Sequence, residues 1–185
     1  EELLGGKIYK VFMPSYESLL LLVKRERDTA ALLADFSCGS PMLYLPNNLP
    51  ERPESPPAFC MLLRKHLTGG RLVGMQQPEM ERLLDLTFDC TDEMGSPTRK
   101  HLILEIMGRN SNLILTGEDG RILDCLRRVD GDMSAQRQLL PGLFYRLPRA
   151  MEKADPTALD GGEWLRRVEQ APGESRVDHW LLDTF

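Results

Sequence analysis

No stretch of this chain is long and apolar enough to cross a bilayer as a helix. The longest run of Leu and Val, Leu19 to Val23, has five residues, whereas a spanning helix needs ~20. The opening Glu1-Glu2-Leu3-Leu4-Gly5-Gly6-Lys7 has no signal-peptide pattern. It also lacks Met, from which a processed or shortened chain is expected. The four cysteines, at 38, 60, 90 and 125, form no Cys-x-x-Cys pair and no Cys/His zinc spacing. Buried, reduced thiols are the expectation. The three histidines, His66, His101 and His179, stand at ligand spacing from no Cys, Asp or Glu. Ser37, Ser40 and Ser111 lack a nucleophile-elbow context. The glycine pairs 5–6, 69–70 and 161–162 belong to helix ends and turns, not to dinucleotide or Walker loops. There are no internal repeats and no low-complexity tracts. These absences argue against a disulfide scaffold, a zinc module, a serine hydrolase and a nucleotide-fold enzyme. No cofactor and no metal is expected.

What remains is an ordinary globular composition. The chain has 185 residues, 42% hydrophobic and 28% charged, enough for one domain with a small appendage and a core that needs no staples. The net charge of −5 speaks weakly against nucleic-acid binding, but its distribution matters more. Residues 151–185 hold eight acids and four bases, and the remaining 150 hold 19 bases and 20 acids. A near-neutral body of this kind can carry a basic face.

Hydrophobic periodicity divides the chain. Residues 7–13 alternate loosely before Pro14. Residues 17–24, 30–36 and 42–45 are short strand candidates, and four strands at hairpin spacing predict an antiparallel sheet. Residues 46–57 hold five prolines and form a surface loop. A helix is predicted over 57–68, N-capped by Ser55, with Phe59, Leu62, Leu63 and Leu67 on one face, Arg64, Lys65 and His66 near its end, and Gly69-Gly70 as the stop. Strands follow at 71–77, 82–90, 101–107, 112–116 and 121–129, with a polar turn at 108–111 and a hairpin turn at 118–120. Residues 135–148 have no period and read as an extended connection. Helices are predicted over 159–170 and 177–185. The fold class is therefore α+β: two small antiparallel sheets packed as a sandwich with flanking helices.

Two short polar segments are candidate sites. Arg82 shares parity with Leu84, Leu86 and Phe88, so it opens an apolar face at a strand end. It either makes a local ion pair or projects a guanidinium able to stack on or hydrogen-bond a nucleobase, with Glu81 beside it. Arg109-Asn110 sits in the turn between two buried strands. It is either ordinary turn chemistry or a rigidly mounted tip for phosphate contact. Arg99-Lys100 forms a further short basic group that can solvate a strand end or meet an RNA backbone.

Several stretches resemble the NFACT family, whose bacterial members are called RqcH or fibronectin-binding protein A-like proteins. They are Gly5-Gly6-Lys7-Ile8-Tyr9-Lys10-Val11, the segment from Pro56 to Leu67 with Gly69-Gly70, the segment from Glu105 to Leu115 around Met107-Gly108-Arg109, and Leu140-Pro141-Gly142 with Tyr145. The resemblance covers residues 1–148 strongly and the rest weakly. It implies a fold similar to the N-terminal domain of formamidopyrimidine-type DNA glycosylases. It divides the chain into a β-sandwich domain, 1–148, and a helical extension, 149–185, leading toward a helix-hairpin-helix domain. It further implies a cytoplasmic factor that binds large ribosomal subunits with stalled peptidyl-tRNA and recruits tRNA for C-terminal alanine tailing. The family's Asp-Arg dipeptide for tRNA recognition aligns with Glu81-Arg82, where the carboxylate is one methylene longer. No catalytic residue is expected. Two other functions were weighed. A glycosylase-like lyase would start with Pro-Glu, which this chain does not show. An adhesin for an extracellular matrix protein would match the family's older name.

Overall fold

The computed structural model describes residues 2–37, 40–51, 53–78, 81–134, 136–148, 154–173 and 176–184. The chain divides into two compact units, residues 1–146 and 147–185.

Among the described residues, the first unit contains nine strands and one α-helix. The strands are β1 (Lys7–Phe12), β2 (Ser18–Lys24), β3 (Thr29–Asp35), β4 (Met42–Tyr44), β5 (Arg71–Gln76), β6 (Leu83–Thr91), β7 (Pro97–Glu105), β8 (Asn112–Gly117) and β9 (Ile122–Cys125). Helix α1, Ala58–Leu67, lies between β4 and β5. The expected antiparallel α+β class is found, but the expectation of two separate sheets is corrected. The strands form a single hydrogen-bonded order, β4-β3-β2-β1-β5-β6-β7-β8-β9. Two meanders grow outward from a seam between β1 and β5.

That seam is narrow. Lys7 opposite Arg71 is its one ladder pair. The flanking backbone extends it: Gly5 N–H donates to the Leu72 carbonyl, Leu72 N–H to Gly6, Ile8 N–H to Gly70 and Gly69 N–H to Ile8, all at 2.7–2.9 Å. Two glycines flanking the seam pack closely against the neighbouring strand of their own meander. A Cβ on Gly6 would sit 2.4 Å from Val23 Cγ1, and one on Gly70 would sit 2.7 Å from Cys90 Sγ. At the seam, these backbone bonds carry the hydrogen bonding from one meander to the other.

Alternation explains where the core sits. The inward residues of both meanders, including Ile8, Val11, Leu19, Leu21 and Val23 on one side and Leu72, Leu86, Phe88, Leu102, Leu104, Leu113 and Leu115 on the other, bury into one cluster with α1. The buried face of α1 is Phe59, Cys60, Leu63 and Leu67. Cys60 takes the place expected of Leu62, which is half-buried and packs against the same cluster. The expected Ser55 cap is also corrected: Pro57 is the N-cap and supplies no side-chain bond. The helix ends as expected, with Gly69 at φ +87°.

The second meander is covered on both faces. Leu83, Ile103, Ile114, Ile122, Cys125 and Leu139 form a second cluster, joined by Val129 and Tyr145. Residues 129–145, far from being a bare connection, fold back over the sheet. Bridges pair Arg121 with Phe144 and Val129 with Leu139. Coverage on both sides is why β8 is buried throughout and reads as a continuous apolar run. It also shortens the strand expected over 121–129 to Ile122–Cys125. Strand β7 starts at Pro97, four residues earlier than expected, because it stays paired with β6 down to Thr91.

The second unit holds α2 (Gly161–Glu169) and α3 (Val177–Thr184). Asp160 caps α2 by accepting from the Glu163 N–H at 2.8 Å. Ala154 N–H donates to the Thr184 carbonyl at 3.0 Å. Among the described residues, no helix is long and apolar enough to cross a membrane.

Candidate nucleic-acid interface at one end of the sheet

Glu81 and Arg82 lie just before β6, so Arg82 stands outside the strand it was expected to open. The backbone holds both in place. Glu81 N–H donates to the Pro78 carbonyl and Ile106 N–H donates to the Arg82 carbonyl, while Gln77 Nε2 donates to the Glu81 carbonyl at 2.9 Å. The Arg82 side chain is exposed and Glu81 is half-buried. Among the described residues, the Arg82 guanidinium has no carboxylate partner. A cation fixed at its backbone and free at its tip is available to an external anion or base.

The bond from Ile106 to Arg82 brings a second candidate to the same end. Gly108–Asn110 forms a short 3-10 helix between β7 and β8, and Arg109 and Asn110 on it are exposed. Gly108 adopts φ +57°, where a side chain would be strained. The Ser111 hydroxyl, fully buried, accepts the Met107 N–H at 2.9 Å.

Arg127 anchors this turn. Its Nη1 donates to the carbonyls of Arg109 at 2.9 Å and Ser111 at 3.1 Å. Its Nη2 donates to the Phe36 carbonyl at 3.2 Å and pairs with Glu17. The Arg127 backbone is held by Asn112, whose Oδ1 accepts its N–H and whose Nδ2 donates to its carbonyl. One guanidinium therefore ties the Arg109 turn to the far meander. Nothing in the sequence around Arg127 points to this role. The partners, Glu17 and Phe36, lie some ninety residues and more away in sequence, and no local pattern signals them.

Glu105 was missed as well. It is 1% exposed, it is paired by the Arg137 guanidinium through both nitrogens, and it accepts from the Tyr145 hydroxyl at 2.7 Å. Arg137 Nε also donates to the Arg146 carbonyl. Burial and the neighbouring carboxylate push the Tyr145 phenol far above its ordinary value. This latch holds residues 137–146 against the sheet, directly behind Leu83, which pairs with Glu105. The signal available was a lone Glu inside the apolar run Ile103-Leu104-Glu105-Ile106.

Arg99 and Lys100 are not part of this end. The β6–β7 register runs from Leu83 opposite Glu105 to Asp89 opposite Arg99, six residues or roughly 20 Å along the strands. Arg99 Nε pairs with Asp89 at 2.9 Å, and Lys100 donates to the Thr98 hydroxyl at 3.2 Å. The expected thiols are buried and free at Cys60, Cys90 and Cys125, while Cys38 lies outside the described residues. Burial pushes the Cys125 thiol up to about 11. Among the described residues, no group of His, Cys, Asp and Glu could hold a metal ion.

An antiparallel sheet built from two meanders around one helix, with a basic rim, defines an N-terminal scaffold module of the NFACT type. The family model for NFACT N-terminal and middle domains matches residues 1–185, and the chain belongs to this family. It is 32% identical over its whole length to the Rqc2 homolog RqcH of Bacillus subtilis, covering 32% of that protein. It is 30% identical over 98% of its length to the human ribosome quality control complex subunit NEMF, covering 17% of it. The chain thus spans at most about a third of the curated relatives named here. Among solved structures, it matches the N-terminal domain of fibronectin-binding protein PavA from Streptococcus pneumoniae with TM-score 0.82 at 27% identity, over 98% of this chain and 71% of that one. It matches the fibrinogen-binding protein from Staphylococcus aureus with TM-score 0.83 at 27% identity, over 99% and 64%. The fold likeness shown is to these proteins; they do not bear on the glycosylase likeness that the family resemblance implied.

Proposed function

We propose that this chain is the RNA-facing N-terminal module of a ribosome quality control factor. It meets tRNA with the sheet end that carries Glu81-Arg82 and Arg109-Asn110, on a large ribosomal subunit with stalled peptidyl-tRNA. The tRNA so recruited serves C-terminal alanine tailing, and the protein works in the cytoplasm. The observation that carries this reading is the free, exposed guanidinium of Arg82 on a fixed backbone, beside the exposed Arg109 turn. Support comes also from the names of the relatives, RqcH and the NEMF subunit of the ribosome quality control complex.

The chemistry is recognition without bond making. A guanidinium donates to or stacks on a splayed loop base, and a carboxylate accepts from base amino groups. Arg109 contributes a sequence-independent phosphate contact. None of this requires a nucleophile or a general base, so the module is not an enzyme on this reading. The test is recovery of the full-length protein from cells, with sequencing of the bound RNA, for wild type and Arg82→Ala. A narrow set of tRNAs with wild type, lost in the variant while both remain folded, is the expected outcome. An unchanged tRNA profile removes Arg82 from the interface.

A second reading, binding of an extracellular matrix protein, is favoured by the likeness to the Streptococcus pneumoniae and Staphylococcus aureus proteins, which are named for fibronectin and fibrinogen binding. Native protein on the surface of intact cells, with no tRNA recovered, is the result that would favour it.

A further inference from the structure

At the opposite end of the β6–β7 ladder, a surface cavity of about 380 Å³ is lined by Lys65 and His66 from the last turn of α1 and by Thr91, Glu93, Thr98 and Lys100 from the hairpin and its turn. We infer that this cavity is a binding site for a phosphate group, separate from the Arg82 end and independent of its role.

Charge bookkeeping in the cavity supports an anion. Two ammonium groups and one imidazole face it, with two threonine hydroxyls between them. The two carboxylates present are already engaged. Asp92 accepts the N–H groups of Met94 at 2.9 Å and Ser96 at 2.8 Å, which builds the hairpin turn. Glu93 pairs with Lys65 at 2.7 Å, an attachment that holds its carboxyl below the usual range. Lys100 is left with only the Thr98 hydroxyl and, among the described residues, no carboxylate. Lysine is a point charge suited to a phosphate oxygen.

Glu93 is an internal stand-in for the ligand. Its side chain is 77% exposed, so it can swing out when a stronger anion arrives between the two lysines. His66 senses the charge in the cavity. Burial first, then Lys100 and Lys65, hold its imidazole below the ordinary histidine range, with the exposed Glu93 opposing them. A dianion seated between those cations reverses that balance, so binding draws a proton onto His66. The C-terminal carbonyls of α1 work against an anion, but an end effect of about half a charge is outweighed by the full charge of Lys100, which pairs with no carboxylate among the described residues, and by Lys65 once Glu93 releases it.

The group recognised is a phosphate oxygen face, carried either by a phosphomonoester or by a nucleic-acid backbone. Calorimetry on the full-length protein with sulfate, whose charge is constant between pH 6 and 8, tests the site. A saturable component is expected that is tighter at pH 6 than at pH 7.5 and takes up a proton, read from its dependence on buffer ionisation enthalpy. Lys100→Gln weakens this component about tenfold, as loss of a charge-assisted bond should, and Glu93→Gln strengthens it about threefold by freeing Lys65. His66→Gln removes the proton uptake. Competition by a nucleoside 5′-monophosphate alone assigns a phosphomonoester. Competition also by an oligonucleotide without terminal phosphates assigns the backbone. The inference is overturned if no component responds to Lys100→Gln and Glu93→Gln, or if neither phosphate compound competes with sulfate. The tRNA profile of Arg82→Ala is a separate measurement, so either conclusion can fail alone.

Discussion

At one end of the β6–β7 ladder, Arg82 and Arg109 are exposed and, among the described residues, meet no carboxylate. At the other end, Arg99 is paired with Asp89 and Lys65 with Glu93. In the sequence the two ends look alike, each carrying short basic groups. The difference comes from backbone placement. Arg99 faces Asp89 across a ladder rung, where a pair forms by register. Glu81 and Arg82 precede the strand, and no rung sets a partner opposite them. An exposed pair such as Arg99–Asp89 adds little stability, yet an incoming phosphate must still compete with Asp89. At the bare end, among the described residues, no carboxylate is paired with Arg82 or Arg109.

The comparison breaks most visibly if the support beneath the bare end is removed. Glu105→Ala leaves the Arg137 guanidinium and the Tyr145 hydroxyl without their buried carboxylate. It is expected to cost about 3 kcal/mol, read as a lower urea midpoint, and to release residues 137–146 to proteolysis. Next in size is Arg127→Ala. It removes the donors that tie Arg109 and Ser111 to Phe36 and Glu17 and should destabilise by about 2 kcal/mol. It should also weaken RNA retention, whereas a purely structural role would leave RNA binding by the folded fraction unchanged.

The paired end gives a smaller, pH-dependent effect. His66 has a folded pKa below its unfolded value, so the unfolded chain binds more protons as pH falls. Its stability contribution is therefore present above the unfolded value of about 6.5 and is lost as pH falls from there through the lower folded value. Comparing wild type with His66→Gln by urea denaturation at pH 7.5 and 5.5 should show the variant less sensitive to acid. The smallest effect is that of Arg82→Ala on stability. An exposed side chain without a protein partner should change the urea midpoint by no more than about 0.5 kcal/mol. A larger loss would mean that this guanidinium has a structural partner after all.

Much of the fold was legible in the sequence. Four strands, a helix and five strands follow from period-2 and helical patterns, from the proline-rich loop, and from Gly69-Gly70 and Glu118-Asp119-Gly120 as punctuation. The joining of the two meanders was not legible, because one rung at Lys7–Arg71 and the flanking backbone bonds leave no periodic trace. Residues 137–146 escaped for the same kind of reason. They are held by Arg137, Tyr145 and Leu139 acting at long range, and not by a repeating pattern. In the candidate site, Glu81-Arg82 was singled out by an arginine on an apolar parity and by family resemblance. The grouping of Arg82 with Arg109, and the separation of both from Arg99-Lys100, required the strand register.

The most direct test of the central claim is ultraviolet crosslinking of the full-length protein to its bound RNA in cells, with the crosslinked residues mapped by mass spectrometry. Crosslinks concentrated at 77–82 and 107–111 are the predicted result. Crosslinks absent from both segments, while the protein still carries tRNA through other surfaces, would contradict it.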